Sequence, residues 1–246
     1  MPILRTYPSL AVPFTMPGLR LWVNAYDIAN NGTQQSNLSL VNPWRSKGAL
    51  LDLNQGTGSA QPTYLTNGIN NKPCVRFNGT SNFLISNSSS LAVTSNFTFY
   101  CIFRLSSSLN TLQCLLSRGP IGTPYYALMI NRVAANGVVD FYDGTNWRAS
   151  TSSIPTTTNF NVIAVTYDNS IPQMFTYING SQSAQSGINI NTPTTSGNFI
   201  LGGQGATSTS NFFSGDALDY LIYSSTHSLF QVQSVTNFFK NFYGII

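Results

Sequence analysis

Nine consecutive residues, Phe97-Thr-Phe-Tyr-Cys-Ile-Phe-Arg-Leu105, set the terms for any fold this chain adopts. With the two-residue period of a strand, Phe97, Phe99, Cys101, Phe103 and Leu105 fall on one face. A face that apolar needs a second layer to cover it. Short apolar runs recur along the chain, punctuated by Gly, Asn, Pro and Ser. They predict further strands at Leu19–Asn24, Cys74–Phe77, Phe83–Ser86, Gln113–Arg118, Tyr125–Asn131 and Gly137–Tyr142. Others are expected at Asn146–Ser150, Phe160–Tyr167, Gln173–Ile178, Asn198–Gly202 and Phe212–Tyr223. Asp143-Gly144 and Asn179-Gly180 read as hairpin turns that need positive φ. Many short strands joined by such turns indicate an all-β sandwich or jelly roll.

One helix is expected, near the C-terminus. Ser228 and Gln231 have capping-box spacing. Leu229, Val232, Val235, Phe239 and Phe242 then recur at helical spacing, and Gly244 supplies a stop. Residues 1–17 read instead as a Pro-rich, extended N-terminal arm, whose Ile3, Leu4, Tyr7 and Phe14 are candidate assembly contacts. Pro2, Pro8 and Pro13 interrupt the apolar N-terminus, so no secretory signal is expected, and synthesis in the cytoplasm follows. No apolar run reaches the roughly 18 residues that span a bilayer. Residues 18–246 are expected to form one domain, a length that buries about three quarters of its unfolded surface.

Charge is scarce. Only 7% of residues are charged, against about 25% in ordinary soluble proteins. The seven acids are all aspartates, with no glutamate, and there is a single histidine. The eleven basic residues are scattered and offer no stripe for phosphates, so no nucleic-acid partner is expected. A polar but nearly uncharged surface suits packing against other protein subunits, itself included, or against neutral glycans. Cys74, Cys101 and Cys114 lie in apolar strand-like stretches and read as buried free thiols.

Five segments in order carry a family likeness. Phe160-Asn-Val-Ile-Ala-Val-Thr-Tyr-Asp168 with Gln173-Met-Phe-Thr-Tyr-Ile-Asn-Gly180 resembles the hairpin of laminin-G-like domains. Phe199-Ile-Leu-Gly-Gly203 and Phe213-Ser-Gly-Asp-Ala-Leu-Asp-Tyr-Leu-Ile-Tyr223 resemble their closing strands. Pro17-Gly-Leu-Arg-Leu-Trp-Val-Asn-Ala-Tyr-Asp27, with Trp44, and the stretch from Gln61-Pro-Thr to Lys72-Pro-Cys-Val-Arg-Phe-Asn-Gly-Thr80 look like the opening of bacterial and viral members. The resemblance implies the concanavalin A-like lectin/glucanase fold. That is a two-sheet antiparallel jelly-roll β-sandwich with one short C-terminal helix. Asn78, Ser81 and Asn82 stand where relatives carry acids, which removes the hard anionic ligands that Ca²⁺ prefers. No cofactor is therefore expected, with Ca²⁺ the one cation left open.

The enzymatic branch of that superfamily works with a Glu-x-Asp-x-Glu strand, and glycoside hydrolysis needs two carboxyl groups about 5–9.5 Å apart. Here the closest aspartate pairs are Asp140/Asp143 and Asp216/Asp219, and a regular strand sends such pairs to opposite faces. Asp143 belongs to a turn, where it serves the backbone. Asp219 reads as a structural hydrogen-bonding residue. His227 reads as a solvent-facing loop residue, and no serine motif surrounds a nucleophile. One histidine and three scattered cysteines have no zinc spacing. Sugars, by contrast, are read by aromatic faces and amides without charge. Trp147, Asn146, Arg148, Tyr125, Tyr126 and Tyr142 cluster around the Asp143-Gly144 turn as carbohydrate-binding candidates, although Tyr126 and Tyr142 equally suit the core. The chain is expected to be a non-catalytic structural or attachment subunit of a virion or other extracellular surface assembly. A glycan-binding lectin or adhesin is the alternative, and a glycoside hydrolase the third reading.

Overall fold

The computed structural model describes residues 11–48, 51–92, 95–106, 111–119, 126–132, 136–144, 146–155, 159–187, 197–205 and 210–245. The strands are β1 Leu19–Asn24, β2 Trp44–Arg45, β3 Asp52–Leu53, β4 Thr63–Ile69, β5 Lys72–Asn78, β6 Leu84–Ser86, β7 Phe97–Leu105 and β8 Gln113–Arg118. They continue as β9 Tyr126–Ile130, β10 Val138–Tyr142, β11 Trp147–Ser153, β12 Asn161–Asp168, β13 Gln173–Ile178, β14 Ser181–Gly187, β15 Phe199–Leu201 and β16 Ser214–Tyr223. Helices α1, Ala11–Thr15, and α2, Leu229–Tyr243, flank them.

All strand pairs are antiparallel. One sheet runs β14-β13-β12-β7-β16-β5-β4, with β1 also paired to β16, and the second runs β11-β10-β9-β8-β15-β6. The two stack as the jelly-roll sandwich that the sequence predicts. Phe97, Phe99, Cys101, Phe103 and Leu105 all join the core between the sheets, facing Leu115, Leu128, Phe141 and Phe199 of the second sheet. The other face of β7, with Tyr100 and Ile102, is buried too, under α2. Strand β7 is thus a central strand with both faces covered. Asn179 (φ 54°) and Gly180 (φ 86°) form the expected two-residue turn between β13 and β14. Asn70 and Asn71, with φ of 46° and 57°, make a second such turn between β4 and β5. Sequence reasoning passed over that hairpin because β4 has no apolar alternation to announce it.

Helix α2 has its capping box at Ser228 and Gln231 and ends at Gly244 in the left-handed conformation. Its buried stripe is Val232, Val235, Thr236, Phe239 and Tyr243. Leu229, expected in that stripe, is 46% exposed. The arm also differs from expectation. Ile3, Leu4 and Tyr7 lie outside the described residues, but Ala11–Thr15 is helical and not extended. The cause is docking. The Tyr223 hydroxyl donates to the Pro13 carbonyl at 2.9 Å, and the Phe14 ring tilts over Trp22 at 4.8 Å. Cys74, Cys101 and Cys114 are free and buried.

Candidate functional site

The hairpin of β10 and β11 gathers most of the sequence candidates. Tyr142 pairs with Trp147 across the strands, and their rings lie 4.9 Å apart on the outer face of the second sheet. Beneath them Cys114, Ala127 and Met129 form a small apolar cluster on which both rings rest. Asp143 builds the turn. Its carboxylate accepts from the Asn146 backbone N–H at 2.7 Å and from Arg148 Nε at 2.9 Å. Arg148 is thereby a strut for the turn. Asn146 serves the turn through its backbone and is exposed, leaving its side chain toward solvent. Trp147 and Tyr142 are half-buried.

Two candidates do not join them. Tyr125 lies outside the described residues. Tyr126 is 2% exposed in the sandwich core, and its hydroxyl donates to the Leu91 carbonyl at 2.8 Å. The strand period accounts for this: Tyr126, Leu128 and Ile130 share the inner face, while Ala127 and Met129 face outward. The sequence reading missed Arg132, whose guanidinium sits 5.3 Å from the Trp147 ring centroid. Its backbone N–H also donates to Asp140 Oδ2 at 2.7 Å, which fixes the chain just after β9.

The aspartate pairs need a correction. Strand β16 carries a bulge between Ala217 and Asp219, so Asp216 pairs with Arg104 and Asp219 with Ile102 of β7. The extra residue returns Asp219 to the same outer face as Asp216. Neither carboxylate is free. Asp216, 2% exposed, lies between cross-strand neighbours Arg76 and Arg104, with Nε–Oδ1 2.7 Å and Nη2–Oδ2 2.7 Å respectively. Asp219 is fully buried beneath α2. It accepts from Trp22 Nε1 and Asn24 Nδ2 at 2.7 Å and from the Tyr243 hydroxyl at 2.6 Å. Burial pushes its carboxyl from 3.8 to about 6, against the pull of those three hydrogen bonds.

His227 also departs from expectation, being only 2% exposed. It packs against Tyr100 and Tyr223, and its Nδ1 shares a 2.8 Å hydrogen bond with the Tyr100 hydroxyl. Burial lowers the imidazole from 6.5 to about 4, so it is neutral at physiological pH. The Asn78 corner is stapled by its own amides. Asn78 Oδ1 accepts from the backbone N–H groups of Thr80, Ser81 and Asn82, and Asn82 Oδ1 accepts from that of Asn78. Among the described residues no group of His, Cys and Asp is arranged to hold a metal ion.

A cavity of about 350 Å³ opens where α2 ends, lined by Gly68, Ile69, Asn70, Arg104, Asn159, Phe160, Gly244 and Ile245. Arg104 lies over the Phe160 ring at 4.9 Å. Four separate segments meet there. The sequence signal was slight: strand parity alone puts Arg104 on the face away from Phe97 and Phe99.

Residues 77–233 match a family model described as the concanavalin A-like lectin/glucanases superfamily. The fold is similar to Trypanosoma rangeli sialidase in complex with 2,3-difluoro-KDN, with TM-score 0.62 and 15% identity over 91% of this chain and 33% of that chain. A mutant of that sialidase displaying trans-sialidase activity has TM-score 0.63 and 15% identity, over 94% of this chain and 34% of that one. Ruminococcus gnavus IT-sialidase CBM40 bound to alpha2,3 sialyllactose has TM-score 0.54 and 19% identity, over 66% of this chain and 96% of that one. The chain thus spans about a third of the length of the sialidase chains it resembles. No curated protein sequence matches it.

Proposed function

We propose, from the premise that this chain belongs to the concanavalin A-like lectin/glucanase superfamily, that it is a non-catalytic glycan-binding domain serving attachment. The observation that carries the reading is that six of the seven aspartates are tied up by hydrogen bonds or close ion pairs, which leaves half-buried Asp52 without a second free carboxyl to work with. Asp27 accepts from Lys47 Nζ at 2.8 Å and from the N–H groups of Asn31 and Gly32. Asp52 lies 4.0 Å from Arg45, and Asp168 accepts from the Ser170 hydroxyl and N–H. Those bonds hold the half-buried Asp168 carboxyl below its ordinary value, the reverse of what a proton donor needs. Asp140, Asp143, Asp216 and Asp219 are buried and bonded. Hydrolysis needs one carboxyl free to donate a proton and a second to attack or activate water. A tyrosine nucleophile of the sialidase kind fares no better. Tyr243 does lie 2.6 Å from Asp219, but both are fully buried.

What remains is contact. Tyr142 and Trp147 offer half-exposed aromatic surface beside Arg132 and the Asn146 amide, the groups that stack on and hydrogen-bond to sugars. A glycan array with the wild type and Trp147→Ala tests this. Binding that the substitution abolishes is the expected result. An array without signal, or new reducing ends released from β-glucans, refutes it.

The attachment role includes a place in an assembly, on a virion or other extracellular surface. Phe230 is 78% exposed, with Leu229 at 46% and Phe14 at 48%, on a surface with little charge to keep copies apart. Because α1 packs on the sandwich, the informative truncation is residues 1–10 with α1 retained. It should leave a folded domain that no longer assembles. A normal oligomer from the truncated chain, by sedimentation, counts against the role.

A further inference from the structure

The cavity at the end of α2 has a chemistry that neither the sandwich nor the Trp147 hairpin requires. Arg76, Asp216 and Arg104 face one another across β5, β16 and β7. Two guanidinium groups share one carboxylate, so the cluster keeps one positive charge in excess. Arg104 bonds Asp216 through Nε and Nη2, and its Nη1 has no hydrogen-bond partner among the described residues. The same residue lines the cavity and stacks on Phe160. Its Nε and Nη2 both donate to the one oxygen Oδ2 of Asp216, and with the ring beneath they hold the guanidinium in place, so a ligand need not order it on binding.

Among the described residues the remaining walls are uncharged. Phe160, Ile69 and Ile245 supply apolar surface. Asn70 donates through Nδ2 to the Tyr243 and Gly244 carbonyls at 2.8 and 3.1 Å. That leaves its Oδ1 to accept from a hydroxyl. At about 350 Å³ the volume lies near the lower end of small-molecule sites, enough for one sugar ring with substituents.

We infer that this cavity is a second binding site, which takes an acidic sugar with its carboxylate on Arg104, its hydroxyls on Asn70 and its ring against the apolar wall that Ile69 presents beside Phe160. The choice of a sugar rests on the glycan-binding reading. The choice of a carboxylate rests on the unmatched charge alone. A phosphate would call for several converging N–H groups, whereas here one fixed guanidinium stands among amides and apolar walls. The site lies on the outer face of the first sheet, while the Tyr142–Trp147 pair lies on the second.

The test is a titration of the whole chain with glucuronate, and separately with glucose and acetate, followed by amide chemical shifts. Glucuronate should move the amides of Gly68, Ile69, Asn70, Phe160 and Gly244, and glucose at equal concentration should not. Arg104→Gln and Asn159→Asp should each weaken the response at least tenfold. The second places a negative charge at an exposed position in the lining, so it tests the idea even where the first disturbs Asp216. Trp147→Ala should leave the response intact. Failure of neutral glycans to move Tyr142 and Trp147 would count against the hairpin site alone. The inference is overturned by silent cavity amides, by glucose acting as well as glucuronate, or by an unaltered response in Asn159→Asp. Acetate matching glucuronate overturns the assignment to a sugar.

Discussion

Replacing Asp219 and His227, each with asparagine, should tilt the pH dependence of stability in opposite directions. Both groups are buried, at 0% and 2% exposure, so solvent does little to soften their effects. For Asp219 the folded carboxyl titrates near 6 and the unfolded one near 3.8. Between those values the folded chain holds a proton that the unfolded chain has lost, so stability is greatest below about 3.8 and declines as pH rises to about 6. A gap of about two pH units at ~1.4 kcal/mol each makes the loss about 3 kcal/mol. His227 runs the other way. Its folded imidazole titrates near 4 and the unfolded one near 6.5, so its stabilising neutrality is complete above 6.5 and is lost as pH falls toward 4. That loss is also about 3 kcal/mol.

The two effects overlap between about pH 4 and 6 and nearly cancel in the wild type. Each variant uncovers the other group. Asp219→Asn keeps Oδ1 as acceptor for Trp22 and Asn24, and the Tyr243 hydroxyl can turn to accept from the new amide. Its stability relative to wild type should therefore rise by about 3 kcal/mol from pH 4 to 6.5. For His227→Asn the same difference should fall by about as much. Urea unfolding followed by tryptophan fluorescence at half-unit steps gives both curves. Two flat difference curves, or two with the same slope, refute the reasoning.

Three further perturbations bear on the fold. In Gly215→Ala the new Cβ would lie 2.2 Å from the Arg104 carbonyl oxygen and 2.6 Å from the Phe213 ring. A loss of about 1–3 kcal/mol in urea unfolding is expected, and an unchanged midpoint contradicts the packing. Ser228→Ala removes the side chain that accepts from the Gln231 N–H. It should cost about 1 kcal/mol, or roughly 2–4 °C in Tm, by calorimetry. Burial pushes the Cys74 thiol up to about 12 and raises Cys101 and Cys114 as well. A thiol reagent such as DTNB at pH 8 should find all three cysteines only after unfolding, and fast labelling of the native chain contradicts their burial.

The legible parts of the molecule were those with a local period or a local turn. β7 was readable to its ends because nine residues alternate without interruption, and α2 because cap, stripe and stop all lie within one segment. The weak hairpin partners β4 and β14 escaped because polar residues such as Thr66, Asn67, Gln182 and Ser183 carry no apolar alternation. They exist because β5 and β13 offer edges and the Asn70-Asn71 and Asn179-Gly180 turns fold the chain back onto them. His227 was misplaced for a related reason. A histidine among Ser224, Ser225, Thr226 and Ser228 looks like surface, yet Thr98 Oγ1 and the Tyr100 hydroxyl tie that loop to β7. Contacts spanning well over a hundred residues leave no mark on the local pattern.

The same limit explains why the candidate sites divided as they did. Tyr142 and Trp147 were within reach of sequence reasoning because one tight turn makes them cross-strand neighbours. The cluster of Arg76, Asp216 and Arg104 was not, because it needs β5, β16 and β7 to lie side by side in one register. Parity could even mislead there. Asp216 and Asp219 belong on opposite faces of a regular strand, but the extra residue at Leu218 brings Asp219 onto the outer face that Asp216 already occupies, and no glycine at the bulge signals it. The bulge has two consequences for one strand. It sends Asp219 under α2 to Trp22, Asn24 and Tyr243, fastening the helix whose C-terminal end walls the cavity. It leaves Asp216 toward the rim, where it fixes Arg104 in that wall. The local departure from strand regularity is thus what lets one element anchor the helix and orient the cavity's charge together, since a bulge re-aims the side chains that follow it.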